Sequence, residues 1–290
     1  AGAGLPGVLP AEGDAVSAQP LRAPFPWFGG KSRAAGLVWA ALGDVTTYVE
    51  PFAGSLAVLL ARPTVHGLET VNDRDCYLAN FWRALRAAPE SVAEWADQPV
   101  NEADLHARHL WLIGQVEFRE RVLTDPEFYD AKIAGWWAWG LSQWIGDGWC
   151  GEGKPSRKLP NIDGAGGKGL HSADGVSLPR FRALARRLSK VRVACGDWSR
   201  VLGGSALRSS GVCGVFLDPP YADGAMEYAA GGMGTGLSAE VRAWAIANGE
   251  RRDLRIVLAG YDGEHAMPAE WRSAEWTAGR GFSGAENTRS

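Results

Sequence analysis

Four residues with the chemistry of an amine-binding site end one apolar segment: Asp218, Pro219, Pro220 and Tyr221 follow "VCGVFL", a run typical of a buried strand. The carboxylate of Asp218 and the carbonyl of Pro219 can each accept a hydrogen bond, and the prolines fix their directions while removing competing N–H donors. Two acceptors suit an exocyclic amine of adenine or cytosine, because accepting its N–H groups restores electron density for attack on a methyl cation. Tyr221 can stack on a base turned out of the double helix. These four residues are candidate catalytic residues; a structural Asp-Pro turn with a packed tyrosine is the alternative.

A second group of polar and glycine residues lies in "YVEPFAGS", residues 48–55, and in "VND", residues 71–73. Gly54 lets backbone amides approach a ligand, and Asp73 can accept hydrogen bonds from ribose hydroxyls at the end of the next strand. Leu56 stands where a second glycine is expected, which disfavours a pyrophosphate cradle. The pattern favours a nucleoside without phosphates, such as the adenosyl part of S-adenosylmethionine, and a structural turn between strand and helix is the alternative.

The segments around these motifs predict an α/β fold. "TTYVE", "GLETVND", "VRVACGDW", "GVFLDPPY" and "LRIVLAGYD" have the apolar runs of buried strands, and the helical pattern "LAVLLAR" joins the first two. Because parallel strands end at the same edge of a sheet, the motifs are expected to share one rim. Residues 83–190 have mainly helical patterns. We therefore expect a loosely held, disordered tail over residues 1–22, a catalytic domain over 23–82 and 191–290, and a helical insertion over 83–190 that contains a glycine-rich basic loop.

The motifs "WFGGKS", "YVEPFAGS", "VND" and "DPPY", in this order, resemble the D12 class of adenine-specific DNA methyltransferases. The resemblance covers roughly residues 24–262. It implies a Rossmann-like S-adenosylmethionine-dependent methyltransferase sheet whose helical insertion recognises the DNA target. It also implies transfer of a methyl group to the N6 amine of a flipped adenine held by the "DPPY" residues. Methylation of cytosine N4 and a non-catalytic DNA-binding protein with the same fold remain alternatives.

The resemblance also implies a set of residues around the cofactor S-adenosylmethionine. The first three motifs supply Trp27, Phe28, Gly30, Lys31, Glu50, Pro51, Phe52, Gly54 and Asp73. An acid and an aromatic residue near the cofactor's adenine correspond to Asp197 and Trp198 in "GDW". Leu56 departs from the commonest form of the loop, which has a second glycine.

Double-stranded DNA is the expected partner, although the formal net charge of the 290-residue chain is -3. Any basic surface must therefore be local. Between residues 151 and 192, ten lysines and arginines stand against three acids, a local balance of +7. The residues predicted to contact phosphates are Lys154, Arg157, Lys158, Lys168, Arg182, Arg186 and Arg187. A solvated helix face beside a disordered loop is the alternative.

Several functions are disfavoured by the sequence. No run approaches the ~20 apolar residues of a membrane span, and no histidine has the spacing of a metal ligand. Cys76, Cys150, Cys195 and Cys213 form no CxxC pair and are interpreted as reduced thiols of a cytoplasmic protein, bacterial or phage-encoded by resemblance. The tryptophans of residues 135–149 are expected to pack in a core, with Trp149 the exception. A restriction enzyme partner and the oligomeric state are left open.

Overall fold

The chain folds around a five-stranded parallel sheet. This computed structural model describes residues 21–27, 31–125, 127–144, 148–151, 159–161, 170, 176, 178–207, 211–220, 234–277 and 288–289. The strands of the sheet are β1 (Thr47–Glu50), β2 (Leu68–Asp73), β3 (Val191–Cys195), β4 (Cys213–Leu217) and β5 (Leu254–Leu258). They lie in the order β3-β2-β1-β4-β5, and every neighbouring pair is parallel.

Ten helices accompany the strands within these described ranges. They are α1 (Ala35–Leu42), α2 (Ala57–Leu60), α3 (Cys76–Ala87), α4 (Pro89–Ala96), α5 (Glu102–Ile113), α6 (Phe118–Thr124), α7 (Ala131–Leu141), α8 (Leu178–Leu188), α9 (Gly204–Leu207) and α10 (Gly234–Asn248). A 3-10 helix spans Trp198–Leu202, and β6 (Trp276–Thr277) pairs antiparallel with β7 (Thr288–Arg289). Searched across these described residues, no helix has the length and apolarity needed to cross a membrane.

The strand order reverses between β1, the central strand of the sheet, and its neighbour β4. Every residue of both strands is buried, as expected for parallel strands covered on both faces. From β1 the chain continues outward through β2 to β3, and from β4 it continues to β5 on the other side. In open α/β sheets, ligands bind beyond the carboxyl ends of the strands at such a reversal. The residues that follow β1 and β4 are therefore the first place to look for a site.

The helices between β2 and β3 share one core with the sheet in the described part of the chain. A continuous cluster of buried side chains includes Tyr48 of β1, Leu85 of α3, Trp137 of α7 and Phe181 of α8. The proposed domain boundary between residues 82 and 83 falls inside α3, while the boundary at 190 coincides with the start of β3. A separate target-recognition domain in this region stays a prediction.

The tryptophans of residues 135–149 pack in the interior, as expected for Trp137, Trp139 and Trp144, which are buried. The prediction that Trp149 is the exception is wrong. Its side chain is 7% exposed, and its indole N–H donates a hydrogen bond of 3.0 Å to the carbonyl of Trp137. A ring this large is stabilised by burial once its single donor has a partner.

Candidate active site

A lysine and an aspartate meet at the reversal of strand order. Asp218 is the first residue after β4, and the Nζ of Lys31, just before α1, lies 2.7 Å from its Oδ2. The two side chains are 6% and 18% exposed, so most of the water that would screen their attraction is excluded. Sequence reasoning assigned Lys31 to the cofactor and Asp218 to the target amine. The fold brings these two residues into direct contact, so the two predicted groups adjoin each other.

Glu50, the last residue of β1, is a buried acid beside this ion pair. The hydroxyl of Tyr48 donates a hydrogen bond of 3.0 Å to Glu50 Oε2. Burial raises the pKa of Glu50 to about 8, and the nearby negative charge of Asp218 adds to the rise. At neutral pH the unliganded carboxyl therefore holds a proton for most of the time, and a bound cation would favour its ionised form.

Asp73 closes the loop that follows β1. Its Oδ2 accepts a hydrogen bond of 3.0 Å from the N–H of Gly54, and its Oδ1 accepts one of 3.0 Å from the N–H of Asp75. Burial raises the pKa of Asp73 to about 6, although these two hydrogen bonds oppose the rise. Each carboxylate oxygen has more than one acceptor position, so Asp73 can hold the loop and still accept hydrogen bonds from a ligand.

Gly54 is required at its position by both its backbone and its neighbour. Its φ is +46°, and a Cβ placed there would collide with the indole of Trp27. The ring of Trp27 thus lies directly against the loop after β1. This contact brings together two of the residues that the sequence assigned to one cofactor site, and it explains why a side chain cannot replace the glycine hydrogen.

Leu56 has the backbone conformation of the glycine that it replaces. Its φ is +58°, in the left-handed region that is unfavourable for residues with a side chain. Its side chain is completely buried in the core. Burial of a leucine stabilises by about 1.5–3 kcal/mol, which is comparable with or larger than the conformational cost of roughly 1–2 kcal/mol. Burial of the side chain therefore offsets the cost of this backbone conformation.

Asn72 is a residue of the site that sequence reasoning missed. It is 1% exposed, and its Nδ2 donates to the carbonyl of Pro51 at 3.0 Å and to that of Gly196 at 3.1 Å. One amide thus joins the loops after β1 and β3 to the end of β2. The motif "VND" offered the signal, but only its aspartate was given a role, because the partners of an amide 21 and 124 residues away in sequence are set by the fold.

The predicted adenine contacts lie on the loop after β3. Trp198 is buried, and its ring stacks with that of Phe52 at a centroid distance of 6.0 Å and an angle of 24°. Asp197 is exposed and begins the 3-10 helix, where its carboxylate accepts hydrogen bonds from the N–H and the hydroxyl of Ser199. These bonds lower the pKa of Asp197. Phe52 and Trp198 thus join the loops after β1 and β3 through an aromatic contact.

The structure leaves several predicted residues outside the described part of the chain. These are Phe28, Gly30, Lys154, Arg157, Lys158, Lys168 and Tyr221. Pro219 is buried and Pro220 is partly buried, directly after Asp218.

The basic helix α8 has both exposed and partly buried arginines. Arg187 donates to both carboxylate oxygens of Glu69 at 2.6 and 2.7 Å and to the carbonyl of Leu59 at 3.1 Å. Its side chain is 12% exposed, so in this structure Arg187 joins α8 to β2 instead of facing a phosphate. A DNA contact at Arg187 would require this ion pair to open and would leave Glu69 with Arg62, 3.0 Å away, as its charged partner, so the contact stays a prediction.

Arg182 and Arg186 are exposed on α8, one turn apart. Arg182 forms an ion pair of 2.8 Å with Glu90, in which both side chains are about half exposed. Surface pairs of this kind contribute about 0–1 kcal/mol, so a phosphate could replace Glu90 as the partner at little cost. Because α8 leads into the start of β3, Arg182 lies nearer than Arg186 to the edge where the strands end.

Comparison with known proteins finds a match for the part of the chain that contains the loops after β1 and β2. No curated protein matches the chain. A family model does match, and it covers the segment from Trp27 to Trp111, which includes Lys31, Glu50 and Asp73. The resemblance seen in the motifs is thus confirmed for this segment: residues 27–111 match the family of D12 class N6 adenine-specific DNA methyltransferases.

Proposed function

We propose that this protein transfers a methyl group from S-adenosylmethionine to the N6 amine of adenine in DNA. The observation that carries the proposal is the position of Asp218 and Lys31 beside Glu50 at the reversal of strand order, in a chain whose residues 27–111 match this family. The site has the acceptors that an amine requires and lies where ligands of open α/β sheets bind.

The acids around the loop after β1 suit S-adenosylmethionine. This cofactor supplies a methyl group on a positively charged sulfur, which is a good leaving group, and it also carries an ammonium group. Glu50 would face a positive charge and become ionised, and Asp73 would accept hydrogen bonds from the ribose hydroxyls. Trp27 and Phe52 would supply apolar surface beside the loop.

Asp218 would hold the target amine through a carboxylate that Lys31 orients. The ammonium of Lys31 binds Oδ2, which restricts rotation of the carboxylate before any substrate arrives. A hydrogen bond from the amine to this oriented carboxylate strengthens as positive charge develops on the nitrogen during attack. The Pro219 carbonyl would be the second acceptor, and flipping of the adenine out of the duplex would bring its amine to this edge of the sheet.

The test of the proposal is the identity of the methylated nucleoside. The purified protein is incubated with unmethylated DNA and S-adenosylmethionine labelled on the methyl group, and the DNA is digested to nucleosides and analysed by mass spectrometry. We expect the label in N6-methyldeoxyadenosine. Label in N4-methylcytosine would show that cytosine is the target base. If the protein binds the DNA but leaves it without label, an enzymatic function is contradicted.

Replacing Asp73 is expected to weaken cofactor binding. Asp73→Ala should make the binding free energy of S-adenosylmethionine less favourable by about 1–3 kcal/mol, because hydrogen bonds to a charged acceptor are lost. The matched control is Asp75→Ala, which removes the side chain that caps α3 and should cost about 1 kcal/mol of stability without a comparable loss of affinity. Calorimetric titration measures both variants, and equal affinities for Asp73→Ala and the parent protein would remove Asp73 from the site.

Neutralising the exposed arginines of α8 is expected to reduce the salt dependence of DNA binding. Arg182→Gln with Arg186→Gln should lower the slope of log K against log salt by up to about two, since each phosphate contact contributes roughly 0.9. Arg252→Gln is the control, because this exposed residue precedes β5 at the opposite edge of the sheet. Fluorescence anisotropy at several salt concentrations gives the slopes, and an unchanged slope in the double variant would place the duplex on another surface.

A further inference from the structure

Two cysteines that are distant in sequence lie side by side next to the Asp73 end of β2. Cys76 is the first residue of α3 and Cys195 the last residue of β3, and their Sγ atoms are 3.4 Å apart although 119 residues separate them. Both are free thiols, and each is 8% exposed. Cys150 and Cys213, in contrast, are 3% and 0% exposed.

The position of the pair couples it to Asp73. Cys195 is aligned with Asp73 in the parallel pairing of β2 and β3. The next residue, Gly196, donates its N–H to the carbonyl of Asp73 at 3.0 Å and accepts from Asn72 at 3.1 Å. A displacement of Cys195 is therefore transmitted by two hydrogen bonds to the end of β2.

We propose that Cys76 and Cys195 are an oxidative modification site, at which hydrogen peroxide forms a reversible disulfide that alters the candidate site at Asp73. A thiolate at Cys76 attacks one peroxide oxygen, the O–O bond breaks, and a sulfenic acid and hydroxide result; the hydroxide takes up the proton that the Cys76 thiol released and becomes water. The thiol of Cys195 then displaces water from that sulfur as the S–S bond forms. In total, the two thiols lose two protons and two electrons, and one peroxide becomes two waters.

The surroundings of Cys76 favour the first of these steps. The thiol lies at the first turn of α3, where the partial positive charge of the helix favours a thiolate, although the Asp75 carboxylate that caps this turn opposes it. The hydrogen-bond contact with the thiol of Cys195 lowers the pKa of Cys76, against the effects of burial and of the Asp75 and Asp73 carboxylates. The same contact and burial raise the pKa of Cys195, so the two residues divide into an attacking thiol and a resolving thiol.

Closing the disulfide must change the local structure. An S–S bond is about 2.05 Å long, so the sulfurs approach by more than an ångström from their separation of 3.4 Å. The end of β3 would be pulled toward the start of α3, and Gly196 would move with it. The expected effect rests on the proposed function: the oxidised protein should bind S-adenosylmethionine about tenfold more weakly, which is equivalent to one disturbed hydrogen bond to Asp73.

The experiment maps the disulfides after treatment of the full chain with hydrogen peroxide. A digest without reducing agent should contain one peptide that joins Cys76 to Cys195, two hydrogens lighter than its parts, and dithiothreitol should remove it. Cys76→Ser and Cys195→Ser should lack this species, whereas Cys213→Ser should retain it, and circular dichroism confirms that each variant is folded. If treated parent protein contains sulfinic acid or intermolecular disulfides in place of this peptide, the proposal is wrong.

Calorimetric titration of reduced, oxidised and re-reduced protein tests the effect on the site. A higher Kd after oxidation, which returns to the value of the reduced protein after treatment with dithiothreitol, supports the coupling to Asp73. An unchanged Kd in protein that contains the disulfide contradicts it. If neither state binds S-adenosylmethionine, the proposed function fails while the disulfide itself is still measured by the digest.

Discussion

Replacement of Asp218 by alanine is expected to lower the rate of methyl transfer on the order of a thousandfold. The carboxylate should contribute most when positive charge develops on the attacking nitrogen, so its loss affects the chemical step more than ground-state binding. The Kd for S-adenosylmethionine should change by no more than a few-fold, because Asp73 and Glu50 are the last residues of other strands. Single-turnover methylation with saturating cofactor measures the rate directly.

Two further variants separate the role of Asp218 in the reaction from its role in the fold. Alanine leaves the ammonium of Lys31, which is 6% exposed, without this ion pair. Asp218→Asn keeps the shape of the side chain and should also be slow, since an amide oxygen is a weaker acceptor. Asp253→Ala, an exposed acid before β5, should methylate normally. A rate near that of the parent protein for Asp218→Ala would mean that the carboxylate is structural and the proposed mechanism wrong.

Replacement of Glu50 by glutamine is expected to stabilise the protein at alkaline pH while weakening cofactor binding. The pKa of Glu50 rises from 4.5 to about 8 on folding, mainly through burial, so the folded state binds more protons than the unfolded state between these values. Stability from this group is fully present below pH 4.5 and is lost as the pH rises through 8. Glutamine remains neutral, so Glu50→Gln should exceed the parent protein in stability at pH 8 by up to several kcal/mol.

Urea unfolding of both proteins between pH 5 and pH 9 measures this difference, which should grow with pH as each unit adds up to about 1.4 kcal/mol. Glu240→Gln, an exposed change on α10, is the control and should follow the parent protein. At pH 8 the same Glu50→Gln variant should bind S-adenosylmethionine more weakly, because no carboxylate remains to face a cation. Parallel stability curves for Glu50→Gln and the parent protein would show that Glu50 is already ionised in the folded state.

The strands and the residues at their ends could be predicted because the signals are local. The apolar runs before Glu50, Asp73 and Asp218 are those of strands buried on both faces, and each becomes a strand of the parallel sheet. Parallel strands end at one edge, so the polar residues after them had to share that edge. Leu56 was also recognised as a departure from glycine, and the backbone confirms that a glycine conformation is needed there.

The contacts within the site could not be predicted, since they depend on side chains brought together from distant segments. Lys31 pairs with Asp218, and the amide of Asn72 bridges two loops. Both contacts join residues that become neighbours only in the tertiary structure. The roles of single arginines were hidden for the same reason. Arg182 and Arg187 are both basic residues on one helix, but only the latter lies over Glu69.

By itself, the sequence determined which residues are strands, which polar groups end them and which family of enzymes they resemble, because apolar runs, their periodicity and motifs are properties of neighbouring residues. The tertiary structure decided how these groups act on one another. Burial in the fold, which no local pattern measures, raises the pKa of Glu50 and makes Trp149 a core residue. Packing of α3 on β3 places Cys76 against Cys195, although the two residues are 119 positions apart in sequence.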